Sequence, residues 1–279
     1  MSVSIRKMSD RDCKISCKQF SFIDADADFR EAFENKENLF SICNENNLVG
    51  AALIHEGEKP FLSLYVDSPY RGKGIGGMAF SVCEQILQDA KAEIILTSYR
   101  TDNGVSKLFA EKRGFKRNFS STFMKYNGVR FDIPVLPIRE YKDDDYDSAY
   151  EMYSKAFHEM RIRVGDFPDS VIGQPNSTMR EQWELTKKER LVYLHGDEIV
   201  GYSHVVGNEV ASISVKSQYQ GKGIGRMFMK FIINRLLEDG NKTVSLYCVV
   251  GNWAKRLYDS LGFADEYTVE YASKSVHSK

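Results

Sequence analysis

Apolar residues along this chain follow two rhythms, and the same succession of rhythms occurs twice. Ile75, Met78, Ala79, Val82, Cys83, Ile86 and Leu87 fall three and four apart, one face of a helix. Their counterparts 149 residues later are Ile224, Met227, Phe228, Phe231, Ile232, Arg235 and Leu236, where only Arg235 breaks the pattern. A short apolar strand and a glycine-rich turn precede each predicted helix: Leu64-Tyr-Val-Asp-Ser-Pro-Tyr-Arg-Gly-Lys-Gly-Ile-Gly76 and Ile213-Ser-Val-Lys-Ser-Gln-Tyr-Gln-Gly-Lys-Gly-Ile-Gly225. A β-rich run follows each, Ile94–Thr97 and Thr243–Val250, and then a Gly-Phe pair, Gly114-Phe115 and Gly262-Phe263.

The offset is the size of a domain and far longer than a solenoid repeat, so the chain holds two copies of one domain. Each copy opens on a strand-like segment, Val3–Lys7 and Leu136–Glu140. Each also has a predicted hairpin before its glycine turn: Leu39–Ile42 with Leu48–Ile54, and Arg190–Leu194 with Ile199–Val206. The second copy is longer between the helix-like Tyr146–Met160 and its hairpin, through the Pro/Gly/Asp/Asn-rich Val164–Thr178. We place the boundary near Asp132–Val135, which gives domains 1–132 and 133–279 without a long flexible linker.

Composition narrows the function classes. With 42% hydrophobic and 28% charged residues and a formal net charge of −1, the chain reads as an ordinary globular protein and not as a nucleic-acid binder. No apolar leader and no membrane-length run is evident, so a cytoplasmic protein without membrane association is expected. The five cysteines show no paired CxxC spacing; Cys13 and Cys17, four apart, either share a helical face as a thiol pair or are two small half-buried residues. No metal site is expected.

The glycine turns carry the chemistry. Glycines let the backbone turn with its N–H groups converging, and these join the unpaired donors of the following helix N-terminus to form an anion site suited to a pyrophosphate. Lys73 and Lys222 either add charge there or lie solvated on the surface. Gly72, Gly74 and Gly77 also spell the dinucleotide fingerprint, but Arg226 breaks it in the second copy, and the P-loop pattern fails in both.

The shared pattern, Arg71-Gly-Lys-Gly-Ile-Gly76 and Gln220-Gly-Lys-Gly-Ile-Gly225, resembles the Q/R-x-x-G-x-G/A motif of the GNAT superfamily of N-acetyltransferases. Ala254-Lys-Arg-Leu-Tyr-Asp-Ser-Leu-Gly-Phe263 resembles that family's next motif, N-x-x-A-x-x-L-Y-x-x-x-G-F, although Asn252 lies one residue too close and Gly251 holds the asparagine place. The resemblance spans nearly the whole chain. It implies an α/β (α+β) fold of two GNAT-type domains, each a mixed, mostly antiparallel, splayed sheet flanked by helices. It also implies acetyl-CoA as co-substrate, wedged between the fourth and fifth strands.

By that resemblance, Val66 and Val215 supply backbone groups to the thioester or pantetheine. Arg71, Gly72, Lys73, Gly74, Ile75 and Gly76, with Gln220, Gly221, Lys222, Gly223, Ile224 and Gly225, form the two pyrophosphate turns. Tyr258 falls at the place of the general acid that protonates the departing thiolate; packing between helix and sheet is its other reading. Asn252 is a candidate hydrogen-bond partner of pantetheine. In the first copy Ala110 occupies the tyrosine place when aligned on Gly114, or Phe109 when aligned on the asparagines Asn103 and Asn252, and neither donates a proton. Catalysis is therefore expected in the second copy, with the first binding cofactor only or serving structurally.

Glu209 is the candidate general base, with His204 and a water chain as alternatives. The acceptor, a small-molecule or peptide amine, is expected against Phe157–Arg163, with Val164–Thr178 as its lid. Asp143–Asp145 with Asp147 either attract a cationic amine or cap a helix. An acyl-CoA sensor without turnover is the leading alternative function, and a nucleotide-dependent oxidoreductase rests only on the three glycines. The sequence leaves the oligomeric state open.

Overall fold

The computed structural model describes residues 2–20, 32–33, 38–57 and 60–276. The chain divides into two compact units, one holding residues up to Asn118 together with the segment from Val269 onward, the other Phe119–Thr268. This differs from a cut at 132/133. The physical reason is an exchange of closing strands: the segment after each Gly-Phe pair completes the sheet of the other copy.

In unit 1 the elements are β1 (Val3–Lys7), α1 (Asp10–Gln19), β2 (Leu39–Asn44), β3 (Asn47–His55), β4 (Phe61–Val66), α2 (Ile75–Asp89), β5 (Ile94–Arg100) and α3 (Gly104–Glu111). The strand β6 (Lys116–Tyr126) then leads into unit 2, which continues with β7 (Ile138–Glu140), α4 (Tyr146–Val164) and α5 (Ser177–Leu185). Next come β8 (Arg190–His195), β9 (Glu198–Val206), β10 (Glu209–Val215), α6 (Ile224–Glu238), β11 (Val244–Val249) and α7 (Lys255–Leu261). The last strand, β12 (Ala264–Ser275), begins in unit 2 and ends in unit 1.

The strand order is β1-β2-β3-β4-β5-β12 in unit 1 and β6-β11-β10-β9-β8-β7 in unit 2. In unit 1, Val269–Ser275 of β12 runs antiparallel to β5, with Glu270 opposite Tyr99. In unit 2, Ser121–Tyr126 of β6 runs antiparallel to β11, with Thr122 opposite Cys248. These two pairs occupy the same place in the two copies, so the exchange preserves register.

Each sheet carries its core under the helix that follows the glycine turn. The helix α2 buries Ile75, Ala79, Phe80, Cys83 and Leu87, and α6 buries Phe228, Met229, Ile232, Ile233 and Leu236. The buried stripe of α6 is turned slightly from the predicted one: Met227 and Phe231 pack only partly buried at its margin. Arg235, the one residue that breaks the apolar pattern, sits at the helix end and reaches the Glu140 carboxylate at 2.9 Å.

The other face of unit 2 is aromatic. There α4 and α5 cover Val192 and Tyr202, and Trp183 stacks on Tyr202 with ring centroids 4.5 Å apart. None of the five cysteines is in a disulfide among the described residues; Cys13 is buried on α1 and Cys17 is exposed. Among the described residues, no helix is long and apolar enough to cross a membrane.

Candidate active site

Both copies open a gap beside the strand that enters the glycine turn. Parallel pairing of β4 with β5 is confined to Phe61 opposite Leu96, and that of β10 with β11 to Glu209 opposite Ser245. Beyond those residues the neighbouring strands separate, and one edge of β4 and of β10 has no strand partner among the described residues. In β10 the departure is accompanied by a register irregularity against β9 between Val210 and Ser212, a bulge that bends the strand.

The backbone at the end of β10 faces this gap. Lys216 N–H donates across to the Val200 carbonyl at 2.9 Å. Ladder alternation therefore turns the Val215 N–H and C=O the other way, toward the open edge. The Val215 carbonyl accepts from Gln220 Nε2 at 2.9 Å, which leaves the N–H for a ligand. Unit 1 repeats the arrangement: Asp67 N–H donates to Val49 at 2.9 Å, and Arg71 Nε donates to the Val66 carbonyl at 2.7 Å.

The turns themselves suit an anion. Gly72 and Gly74 have φ of 73° and 79°, and Gly221 and Gly223 have 74° and 84°, the left-handed region that side chains other than glycine rarely adopt. A Cβ at any of the four would meet nothing within 4 Å, so backbone conformation, and not crowding, requires glycine there. Gly74 and Gly223 cap α2 and α6 without a side-chain hydrogen bond to the helix. The first-turn N–H groups from Ile75 and Ile224 onward thus lack intrahelical acceptors, and the helix dipole adds to them. The third glycine is close-packed in unit 1 and in ordinary contact in unit 2. A Cβ on Gly76 would come within 3.2 Å of Phe109, and one on Gly225 within 3.6 Å of Val215 and 3.8 Å of Leu257. At Gly76 the missing Cβ lets α2 approach Phe109 of α3 closely. Lys73 and Lys222 lean back over the Tyr70 and Tyr219 rings, with Lys73 Nζ donating to the Pro69 carbonyl at 2.9 Å.

Two contacts fix the correspondence between the closing motifs. Phe115 N–H donates to Ala110 as Phe263 N–H donates to Tyr258, and Phe109 lies against Gly76 as Leu257 lies against Gly225. Ala110 therefore stands where Tyr258 stands, and the alternative register with Phe109 is excluded. Asn103 and Asn252 share a local role: their side-chain carbonyls accept from the backbone of Ser106 and Ala254, at 3.2 and 3.0 Å, at the start of α3 and α7.

Tyr258 lies on α7 in the core of unit 2, beside Cys248 of β11. Burial pushes its phenol above the ordinary tyrosine value, and its hydroxyl has no hydrogen-bond partner among the described residues. At the place of Cys248, unit 1 has Tyr99, whose hydroxyl donates to Glu270 Oε1 at 2.5 Å. Unit 1 thus carries its phenol on the strand, bound to a carboxylate, and has alanine on the helix.

Glu209 starts β10 at the point where β11 departs, and burial raises its carboxyl above the usual range. His204 is held at 3.2 Å from Glu189, and burial lowers its imidazole. The acidic turn before α4 is committed to structure: Asp145 binds Arg139 and the Lys142 N–H, and Asp143 binds Arg180. The inserted loop is tied along α4, by Tyr146 Oη to the Asn176 carbonyl at 2.9 Å and by His158 Nδ1 against Ser170 Oγ at 3.2 Å. Ser214, one residue before Val215, has a buried hydroxyl without a hydrogen-bond partner among the described residues, and no motif in the sequence marks it.

Known proteins match this description. Residues 7–115 match the model of the acetyltransferase (GNAT) family, and residues 161–276 match that of an acetyltransferase (GNAT) domain. Mycothiol acetyltransferase of Renibacterium salmoninarum is 25% identical over 240 residues, covering 78% of this chain and 69% of that protein. A GCN5-related N-acetyltransferase from Sphaerobacter thermophilus shares the fold over 99% of this chain and 96% of its own, with a TM-score of 0.76 at 18% identity. A tandem GNAT protein from the clavulanic acid biosynthesis pathway aligns over 100% of both chains, with a TM-score of 0.64 at 12% identity.

Proposed function

We infer the activity from one premise: the chain belongs to the GNAT acetyltransferase family and carries two of its domains in sequence. That family uses acetyl-CoA and transfers acyl groups. We propose that this protein moves the acetyl group of acetyl-CoA to a primary amine, and that transfer takes place in unit 2. The observation that carries the reading is the asymmetry at one position. Both units have the open strand edge and the glycine turn, but only unit 2 has a phenol, Tyr258, on the short helix before the Gly-Phe pair, where unit 1 has Ala110.

In this reading the N–H groups at the start of α6 and the left-handed glycines hold the pyrophosphate, and the Val215 N–H orients the thioester carbonyl. The acceptor amine, without its proton, attacks the carbonyl carbon, forming the C–N bond as the C–S bond breaks. Tyr258 donates its phenolic proton to the departing sulfur, and Glu209, directly or through water, takes the proton lost by the amine. Burial makes Glu209 a stronger base than an exposed carboxylate, and Tyr258, with its phenol raised by the same cause, stands protonated until a thiolate forms beside it.

The test is acetyl-CoA-dependent release of CoA by the full chain across a panel of small amines, amino sugars and peptide N-termini. Mycothiol-related acceptors belong in the panel because of the bacterial relative. Release that requires an amine and collapses in Tyr258→Phe supports the reading; amine-independent or absent release with tight acetyl-CoA binding favours the sensor. That second reading draws support from Ala110, which leaves α3 of unit 1 without a phenol at the place of Tyr258.

A further inference from the structure

The two copies differ sharply at one position beside the site, on the face of the sheet away from the glycine helix. Val215 points its side chain toward Gly225 of α6, so its neighbour Ser214 points to the opposite face, which α4 covers. Ser214 is 6% exposed, and its hydroxyl meets no hydrogen-bond partner among the described residues. Buried hydroxyls are nearly always bonded, so an unpaired one calls for a reason.

Its cross-strand neighbour, Tyr202, does not satisfy it. The Tyr202 hydroxyl accepts from Arg190, and its ring is fixed by stacking on Trp183 and by an edge contact to Tyr153 at 5.6 Å. The unpaired oxygen therefore lies on a rigid aromatic wall, one residue from the backbone N–H that faces the gap.

Unit 1 has Tyr65 at the equivalent position, directly before Val66. Its ring packs against Phe20 at 5.3 Å and under Arg71 at 5.5 Å, and its hydroxyl donates to Asp67 at 3.4 Å. The place that a small serine holds in unit 2 is taken in unit 1 by an aromatic ring.

We propose that the Ser214 side of β10 is the acceptor seat of unit 2, where the serine oxygen accepts a hydrogen bond from an N–H of the acceptor amine, and that Tyr65 closes the same seat in unit 1. The inference rests on the acetyltransferase reading and adds a positioning residue to it. It also gives unit 1 a second reason not to transfer, since an acyl-CoA bound there would meet no acceptor.

Two variants of the full chain test this. Ser214→Ala is expected to raise the acceptor KM about 10-fold, the loss of one hydrogen bond to substrate, with the acetyl-CoA KM unchanged. Its Tm should stay level or rise, because the variant removes an unpaired hydroxyl. Ser214→Tyr, which copies unit 1, is expected to keep acetyl-CoA affinity within about threefold and to lose transfer by about 100-fold or more. An unchanged acceptor KM in Ser214→Ala, or a lowered Tm with both KM values raised, overturns the proposal in favour of a structural hydroxyl. Wild-type rates in Ser214→Tyr overturn it as well. Should Ser214→Tyr not fold, Ser214→Ala decides alone. A wild-type chain that acetylates no amine instead overturns the acetyltransferase reading on which the seat depends.

Discussion

Gln220 donates its side-chain amide to the carbonyl of Val215, five residues earlier, at 2.9 Å, and so ties the start of the glycine turn to the end of β10. Arg71 and Val66 make the same closure in unit 1 at 2.7 Å. Glutamine and arginine have little in common except a planar nitrogen donor at the end of a flexible stem. That shared donor explains why either residue opens the motif.

Removing this tie should loosen the cradle and spare the chemistry. Gln220→Ala is expected to raise the acetyl-CoA KM about 10-fold with kcat nearly unchanged, and Gln220→Arg, the residue of the other copy, to restore it. Steady-state kinetics with varied acetyl-CoA reads both.

Tyr258→Phe separates acid catalysis from packing. The hydroxyl has no partner to lose among the described residues, so stability should change little, while kcat is expected to fall by about 100-fold or more. Acetyl-CoA binding by calorimetry should remain within about threefold of wild type. A large fall in Tm would assign Tyr258 to packing instead.

Glu209 sets a pH signature. Its folded carboxyl titrates above the ordinary glutamate range because burial disfavours the charge. The folded chain therefore holds this proton more tightly than the unfolded one. The contribution to stability is fully present below the unfolded pKa and is lost as pH rises through the folded one. As a base Glu209 works only once deprotonated, so kcat/KM should climb with pH through the same raised value. Glu209→Gln should remove that ascending limb and flatten the acidic part of the stability profile, measured by pH-rate curves and thermal melts.

The strand exchange predicts how the chain can be divided. A fragment of residues 133–279 lacks β6, so β11 would present an unpaired edge and the unit 2 core would lose Met124 and Tyr126. We expect it to aggregate or to melt without a cooperative transition, whereas a fragment beginning at Lys116 keeps the β6–β11 pairing and folds. Size-exclusion chromatography and circular dichroism distinguish the two.

Much of the site is legible in the residues because its parts are local. A glycine at positive φ, a helix starting one residue later and a side chain reaching five residues back are all decided within a dozen positions. The Tyr258 motif is equally readable, but its partner in the first copy is not, since Ala110 and Phe109 are adjacent and both apolar. Only the packing of Phe109 on Gly76 and the hydrogen bond from Phe115 to Ala110 resolve it. Ser214 leaves no mark in the sequence. A serine in a strand carries no periodic signal, and its interest lies in a partner that is absent.

The sequence by itself determined the duplication, the succession of strands and helices, and the two glycine turns, because each follows from short-range periodicity and backbone freedom. Tertiary structure alone decided which strand closes which sheet. The segments after Gly114-Phe115 and Gly262-Phe263 have the alternation of sheet strands, and alternation specifies a buried face without naming the neighbour across the hydrogen bonds. Glu270 meets Tyr99 across a separation of 171 residues, and nothing near either residue announces the pairing. The parting of β10 from β11 beyond Glu209, which opens the gap beside the glycine turn, is likewise a feature of the tertiary structure.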